Sequence, residues 1–138
     1  MLRGFATVSF YADDMEAAKR WYTEMLGFGP YFERSGPDGA PAYMEFRVGD
    51  YQHELGVIDS RYAAHRTGEP AGAVIFWAVD DLEAEVERLI SLGATEHEKI
   101  TERGPGFVTA SVVDPFGNIL GVMYNQHYLD VLGAAGKG

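Results

Sequence analysis

Apolar residues recur along this chain in two different periods, and the two periods alternate twice. Residues 5–11, Phe5-Ala6-Thr7-Val8-Ser9-Phe10-Tyr11, form a short run rich in aromatic and β-branched side chains, the composition of a strand. Behind it Met15, Ala18, Trp21, Tyr22, Met25 and Leu26 recur at three- and four-residue spacing, which predicts an amphipathic helix. Strand-like runs follow over roughly 29–34, 42–48 and 51–59, separated by the turn sequences Ser35-Gly36-Pro37-Asp38-Gly39 and Gly49-Asp50. The second half repeats the plan. A strand over 73–78 precedes a helix carried by Leu82, Val86, Leu89 and Ile90. Strands near 96–102, 107–113 and 119–124 come next, with Gly104-Pro105-Gly106 and Asp114-Pro115-Phe116-Gly117-Asn118 between them.

The two halves also share residues. Ala12-Asp13-Asp14-Met15-Glu16-Ala17 returns as Val79-Asp80-Asp81-Leu82-Glu83-Ala84, an offset of 67 positions, and Leu55-Gly56-Val57 returns as Leu120-Gly121-Val122. Asp13 with Glu16, and Asp80 with Glu83, have the spacing of a capping box; Gly27 and Gly93 stand where a left-handed residue ends a helix. The fold class is therefore α+β, two tandem βαβββ modules: module 1 about 4–59, a polar linker over 60–71, and module 2 about 72–125. Together they form a single domain over 1–127, followed by a C-terminal tail, 128–138, expected to be frayed from Gly133. Neither module buries both faces of its sheet alone, so pairing between modules or across a homodimer is expected.

Composition mostly removes possibilities. The chain has 138 residues, 11 Lys+Arg against 21 Asp+Glu and a net charge of −10, a field that repels nucleic-acid backbones and anionic membranes. No cysteine is present, which excludes disulfides, thiolate metal sites and thiol nucleophiles. No apolar run approaches the roughly 20 residues that span a bilayer, and Met1–Gly4 leads straight into an alternating segment, so a cytoplasmic location is expected.

The paired modules, Asp-Asp-Met-Glu-Ala followed by Trp21-Tyr22 and Leu26-Gly27-Phe28, and Asp114-Pro115-Phe116-Gly117-Asn118 before the last strand resemble the vicinal-oxygen-chelate superfamily. That group includes glyoxalase I, extradiol dioxygenases, fosfomycin-resistance enzymes and bleomycin-resistance proteins. The resemblance covers about 4–125 and implies cup-shaped mixed sheets with helices outside, a ligand cavity inside and commonly a dimer. For the enzymes it also implies a divalent metal held by His or Glu on the first and last strands of each module. Carried over by position, those places fall on Thr7, Gly56, Val74 and Gly121, none of which offers an imidazole or carboxylate. A divalent catalytic site takes about three protein ligands, so no metal and no other cofactor is expected. A shift of two residues would put Glu54 in the place of Gly56, but as a single carboxylate. His53, His65, His97 and His127 show no ligand spacing and are read as solvent-facing or structural.

With Thr7 and Gly121 facing the cup, alternation assigns the remaining positions. Phe5, Thr7, Ser9 and Tyr11 face inward, and Ala6, Val8 and Phe10 face the helix. Tyr43, Glu45 and Arg47 face inward opposite Met44, Phe46 and Val48; Glu54 and Ile58 join them. The second module adds Phe76, Thr109, Ser111, Ile119 and Met123, with Phe107 near the rim. The candidate ligand-binding set is thus Thr7, Ser9, Tyr11, Tyr43, Arg47, Phe76, Thr109, Ser111 and Met123, and the candidate catalytic carboxylates are Glu45 and Glu54. Trp21, Tyr22, Phe10 and Trp77 are assigned to the helix-to-sheet core. Tyr43, Glu45 and Arg47 are equally compatible with a solvated sheet face.

Three functions remain open. The first is a bleomycin-resistance-like protein that sequesters an amphipathic small molecule, an antibiotic or a metabolite, without metal; an acidic chain suits a cationic ligand. The second is an enzyme of the glyoxalase type, a lyase, isomerase or dioxygenase with an atypical metal site, or a metal-free catalyst with Glu45 or Glu54 as general base. The third is an interaction module with a vestigial pocket.

Overall fold

The computed structural model describes residues 1–137. The chain divides into two compact units, Met1–Glu69 with Phe116–Asn118, and Pro70–Pro115 with the residues from Ile119 onward. In the first unit β1 (Val8–Ala12) leads into α1 (Met15–Leu26), and β2 (Phe32–Ser35), β3 (Pro41–Val48) and β4 (His53–Asp59) follow. The second unit repeats this with β5 (Ile75–Ala78), α2 (Leu82–Ser91), β6 (Thr95–Gly104), β7 (Phe107–Val113) and β8 (Ile119–Asn125), and adds α3 (Gln126–Lys137). Each unit is one four-stranded mixed sheet, ordered β1-β4-β3-β2 and β5-β8-β7-β6, with its first strand parallel to its last. This is the βαβββ plan that the repeat predicts.

Burial fixes the register in the first unit. Phe46, Leu55 and Val57 are fully buried on the face that meets α1, which contributes Met15, Ala18, Trp21 and Tyr22. Phe10 and Phe46 both pack against the Tyr22 ring, at 6.4 and 6.3 Å. Each such side chain gains about 1.5–3 kcal/mol by leaving water. A one-residue slip of β4 would exchange Leu55 and Val57 for Glu54 and Gly56, so register and burial enforce each other. In the second unit Val112, Leu120, Ala110 and Val122 meet Leu82 and Leu89 of α2 in the same way.

Several local expectations change. The helix caps are Asp14 and Asp81, one residue later than Asp13 and Asp80; their extended backbones let the side chains accept the amide hydrogens of Ala17 and Ala84 at 3.0 and 3.1 Å. The first strand starts at Val8, opposite Leu55, so Phe5, Ala6 and Thr7 lie outside the ladder. Phe5 falls beyond the start of β4, its sheet neighbour, and is fully exposed. The tail is helical rather than frayed from Gly133. Asn125 accepts the Tyr128 amide hydrogen at 2.9 Å as a cap, and Gln126 bonds Asp130 one turn on at 3.0 Å, which offsets the poor helix propensity of the glycines. Gly138 lies outside the described residues. No helix among them is long and apolar enough to cross a membrane.

Candidate functional site

On the sheet face turned away from α1, the first unit gathers Tyr43, Glu45 and Arg47 of β3 with Glu54 of β4. The pairing puts Glu45 opposite Gly56 and Arg47 opposite Glu54. The Tyr43 hydroxyl lies 3.3 Å from Glu45 Oε1 and 3.4 Å from Glu54 Oε1. Glu45 is only 8% exposed, and its other oxygen, Oε2, pairs with Arg47 at 3.1 Å. Arg47 in turn lies over the Tyr31 ring at 5.3 Å. The face is therefore not the fully solvated one that alternation alone allows.

Electrostatics follow from this crowding. The hydrogen bond with Glu54, then burial, then the charge of Glu54 raise the Glu45 carboxyl above its ordinary range, against the opposing pull of Arg47. Burial first, and then the charges of Glu54 and Glu45, push the Tyr43 phenol up to about 12. Tyr43 is thus a neutral hydrogen-bond donor throughout the physiological range.

Ser9 and Tyr11 share this face through β1, where they pair with Gly56 and Ile58. The Tyr11 ring meets His65 edge-on at 5.1 Å, and its backbone is held at both polar atoms by Asn118: the Tyr11 N–H donates to Asn118 Oδ1 at 3.2 Å and Asn118 Nδ2 donates to the Tyr11 carbonyl at 2.8 Å. Thr7 precedes the strand and is exposed.

In the second unit Phe76, Thr109, Ser111 and Met123 do share one face, since Phe76 and Ser111 both flank Gly121 and Thr109 pairs with Met123. Ser111 is buried and hydrogen-bonded to His97 Nδ1 at 3.0 Å. Arg103 Nε donates to Thr109 Oγ1 at 3.1 Å while its Nη2 pairs with Glu98 at 3.1 Å. His97, Glu98 and Arg103 escape the sequence reading because β6 shifts register between Glu96 and Glu98 and again between Glu98 and Thr101. Such bulges break the alternation from which faces are assigned.

At the four positions that the resemblance assigns to metal ligands, Thr7, Gly56, Val74 and Gly121, no side chain offers an imidazole or a carboxylate. A Cβ on Gly56 would lie 2.8 Å from Tyr43 Cε2, and one on Gly121 would lie 2.7 Å from both the Ile75 carbonyl oxygen and Phe76 Cδ1. An aromatic ring thus fills the place of a ligand side chain in each unit. Among the described residues no group of three or more His, Asp or Glu is arranged to hold a metal ion. On the helix side of the first sheet, a cavity of about 110 Å³ opens between Met15 and Lys19 of α1 and Glu33 and Arg34 of β2. It is well below the roughly 300–1,000 Å³ of ordinary ligand pockets.

An α+β chain built from two βαβββ units, each with its first strand beside its last, defines the class. The family model for the glyoxalase/bleomycin resistance protein/dioxygenase superfamily matches residues 4–122, and the chain belongs to that superfamily. Solved structures agree on the fold. A glyoxalase-related enzyme from Fulvimarina pelagi is 20% identical and superimposes with a TM-score of 0.71, covering 91% of this chain and 90% of that one. A glyoxalase family protein from Enterococcus faecalis is 22% identical, with a TM-score of 0.67 over 88% of this chain and 97% of that one. The bleomycin resistance determinant encoded on transposon Tn5 is 23% identical, with a TM-score of 0.62 over 89% and 98%. Among curated proteins none matches this sequence.

Proposed function

We propose that this protein binds an amphipathic small molecule on its aromatic-lined sheet faces without a metal. The observation that carries the reading is the pair of rings, Tyr43 over Gly56 and Phe76 beside Gly121, standing where a metal-binding relative needs ligand side chains. Aromatic surface with a few polar groups is the composition of a small-molecule site. The net charge of −10 favours a cationic ligand, and the fold is shared with a bleomycin resistance determinant, so bleomycin is the first probe. The test is a thermal-shift titration of the metal-free protein with bleomycin and a panel of cationic aromatic compounds, run in parallel with Ni, Zn, Mn, Fe and Co. A ligand at about 100 times its Kd stabilises the fold by about 2.7 kcal/mol. Concentration-dependent stabilisation by an organic cation supports the reading; a stoichiometric metal that raises the melting temperature by several degrees overturns it.

One observation favours a second reading, a metal-free acid–base enzyme. Glu45 and Glu54 sit on one phenol, and Glu45 is raised above the ordinary carboxylate range, so one group is suited to donate a proton and the other to accept one. Glu45→Gln and Glu54→Gln separate the readings: ligand affinity kept with turnover lost identifies the enzyme.

A further inference from the structure

We propose that Glu45 and Glu54 share one proton, and that this proton latches the Tyr43 ring over Gly56, so that rising pH uncovers the sheet floor of the first unit. The inference begins with a count of hydrogens. Tyr43 Oη stands within hydrogen-bond distance of one oxygen of each carboxyl, yet a phenol has a single proton to donate. With the phenol as sole donor the two contacts can only share one proton, at 3.3 and 3.4 Å; each becomes a full two-centre hydrogen bond when one carboxyl also carries a proton and donates it. With both groups ionised, two negative charges share a partly buried site and that one proton. The proton belongs to the pair: burial favours it on Glu45, and the Arg47 guanidinium, 3.1 Å from Glu45, opposes it there.

The surrounding groups leave the pair in control. On β3 the charged neighbour is Arg47, engaged by Glu45 and by the Tyr31 ring. On β2, Phe32 lies opposite Glu45 and Arg34 opposite Tyr43, and the Arg34 guanidinium lies over the Phe32 ring at 5.9 Å. Beyond β4, β1 presents Ser9 and Tyr11, neither an acidic nor a basic side chain of the carboxylate or guanidinium kind. Arg47 neutralises one carboxylate, so loss of the shared proton leaves the other, on the less buried Glu54, to turn toward water. Tyr43 then keeps one anchor of two, and the absence of a side chain at position 56 lets the ring lift from a bare backbone. A molecule that stacks on the floor enters only after that. The latch needs no ligand, so its failure and that of the binding reading are distinguishable.

The experiment is carbon-detected NMR of the full chain with ¹³C-labelled glutamate carboxyls and tyrosine rings, titrated from pH 3 to 9. Tyr43→Phe assigns the Tyr43 signal among the eight tyrosines. The expected result is a pair of glutamates titrating in coupled steps, one above the ordinary range, with the Tyr43 ring signal moving at that upper midpoint. In Glu54→Gln the upper midpoint is lost, and with it the movement of the ring. Gly56→Ala supplies an open reference: its Cβ would displace only the end of the Tyr43 ring, so the Tyr43 signal starts at its high-pH position and stays there. A Tyr43 signal that ignores the upper midpoint, two glutamates that titrate independently, or a Gly56→Ala protein that still shows the pH-dependent movement overturns the proposal.

Discussion

The Tyr43 ring occupies the space that a side chain at position 56 would fill. The two residues are not direct partners across the ladder. Tyr43 pairs with Ile58 and Glu45 pairs with Gly56, so the ring leans diagonally along β4, within the reach of an aromatic side chain. The second unit solves the same problem from the other side: Gly121 is covered by Phe76, its direct partner on the parallel strand β5. Both repeats keep the glycine, and each covers it with a ring from a different neighbour.

Gly56→Val is therefore expected to destabilise the protein by about 1–3 kcal/mol, the usual cost of forcing extra atoms into a packed site. The strain lies between two named residues, so it is not additive. The Tyr43→Ala/Gly56→Val double variant should recover part of the loss relative to the sum of the single variants, as urea denaturation of the four-member cycle would measure. Additive costs would mean that the ring moves aside freely.

Glu45 makes stability depend on pH in a definite direction. Its carboxyl is raised in the folded protein, first by the hydrogen bond with Glu54 and then by burial, so folding favours its protonated form. That contribution is complete below the ordinary glutamate value and is lost as pH rises through the raised one. Glu45→Gln removes the dependence. Melting temperatures of the wild type and Glu45→Gln, measured at intervals from pH 4 to 8, should diverge in favour of the variant as pH rises; a constant difference would contradict the burial of an acidic proton here.

Much of this fold could be read from alternation and repeat, because those signals depend on which face of a strand or helix is apolar. Met44 and Phe46 against Tyr43 and Glu45 mark the two faces of β3 unambiguously, and α1 announces itself through Met15, Ala18, Trp21 and Tyr22. What could not be read depends on other causes. The burial of Glu45 is a property of its neighbours, Tyr43 and Glu54, and not of its own position in the pattern. His97 and Arg103 reach Ser111 and Thr109 through register shifts that have no period. The helix Gln126–Lys137 is initiated by a local cap at Asn125, which glycine-rich composition conceals. The role of Asn118 is a contact over more than a hundred residues, invisible to any local rule.

Tyr43 should titrate late. Burial, followed by the charges of Glu54 and Glu45, carries its phenol to about 12, so its step in an alkaline difference spectrum is expected well above that of an ordinary tyrosine. Tyr43→Phe should delete that step while leaving the earlier ones in place. The neutral phenol stabilises the fold below its ordinary value, and that contribution is lost as pH rises through about 12. A spectrum in which Tyr43→Phe removes an ordinary tyrosine step would show that the phenol is solvated.

Asn118 holds both polar atoms of the Tyr11 backbone, an N–H at 3.2 Å and a carbonyl at 2.8 Å, as a neighbouring strand would. A carboxamide offers an acceptor and a donor side by side in one plane at every pH. Asn118→Ala leaves two part-buried groups unpaired and is expected to cost about 1–3 kcal/mol, with faster hydrogen exchange at the Tyr11 amide than elsewhere in β1. Asn118→Asp is the sharper variant. Its carboxylate still accepts from the Tyr11 N–H but opposes the Tyr11 carbonyl, so at neutral pH it should be no better than alanine. Once protonated the carboxyl has a hydrogen to donate, and the variant should regain stability as pH falls through the carboxyl range. Equal behaviour of the alanine and aspartate variants at every pH would reduce the contact to one hydrogen bond.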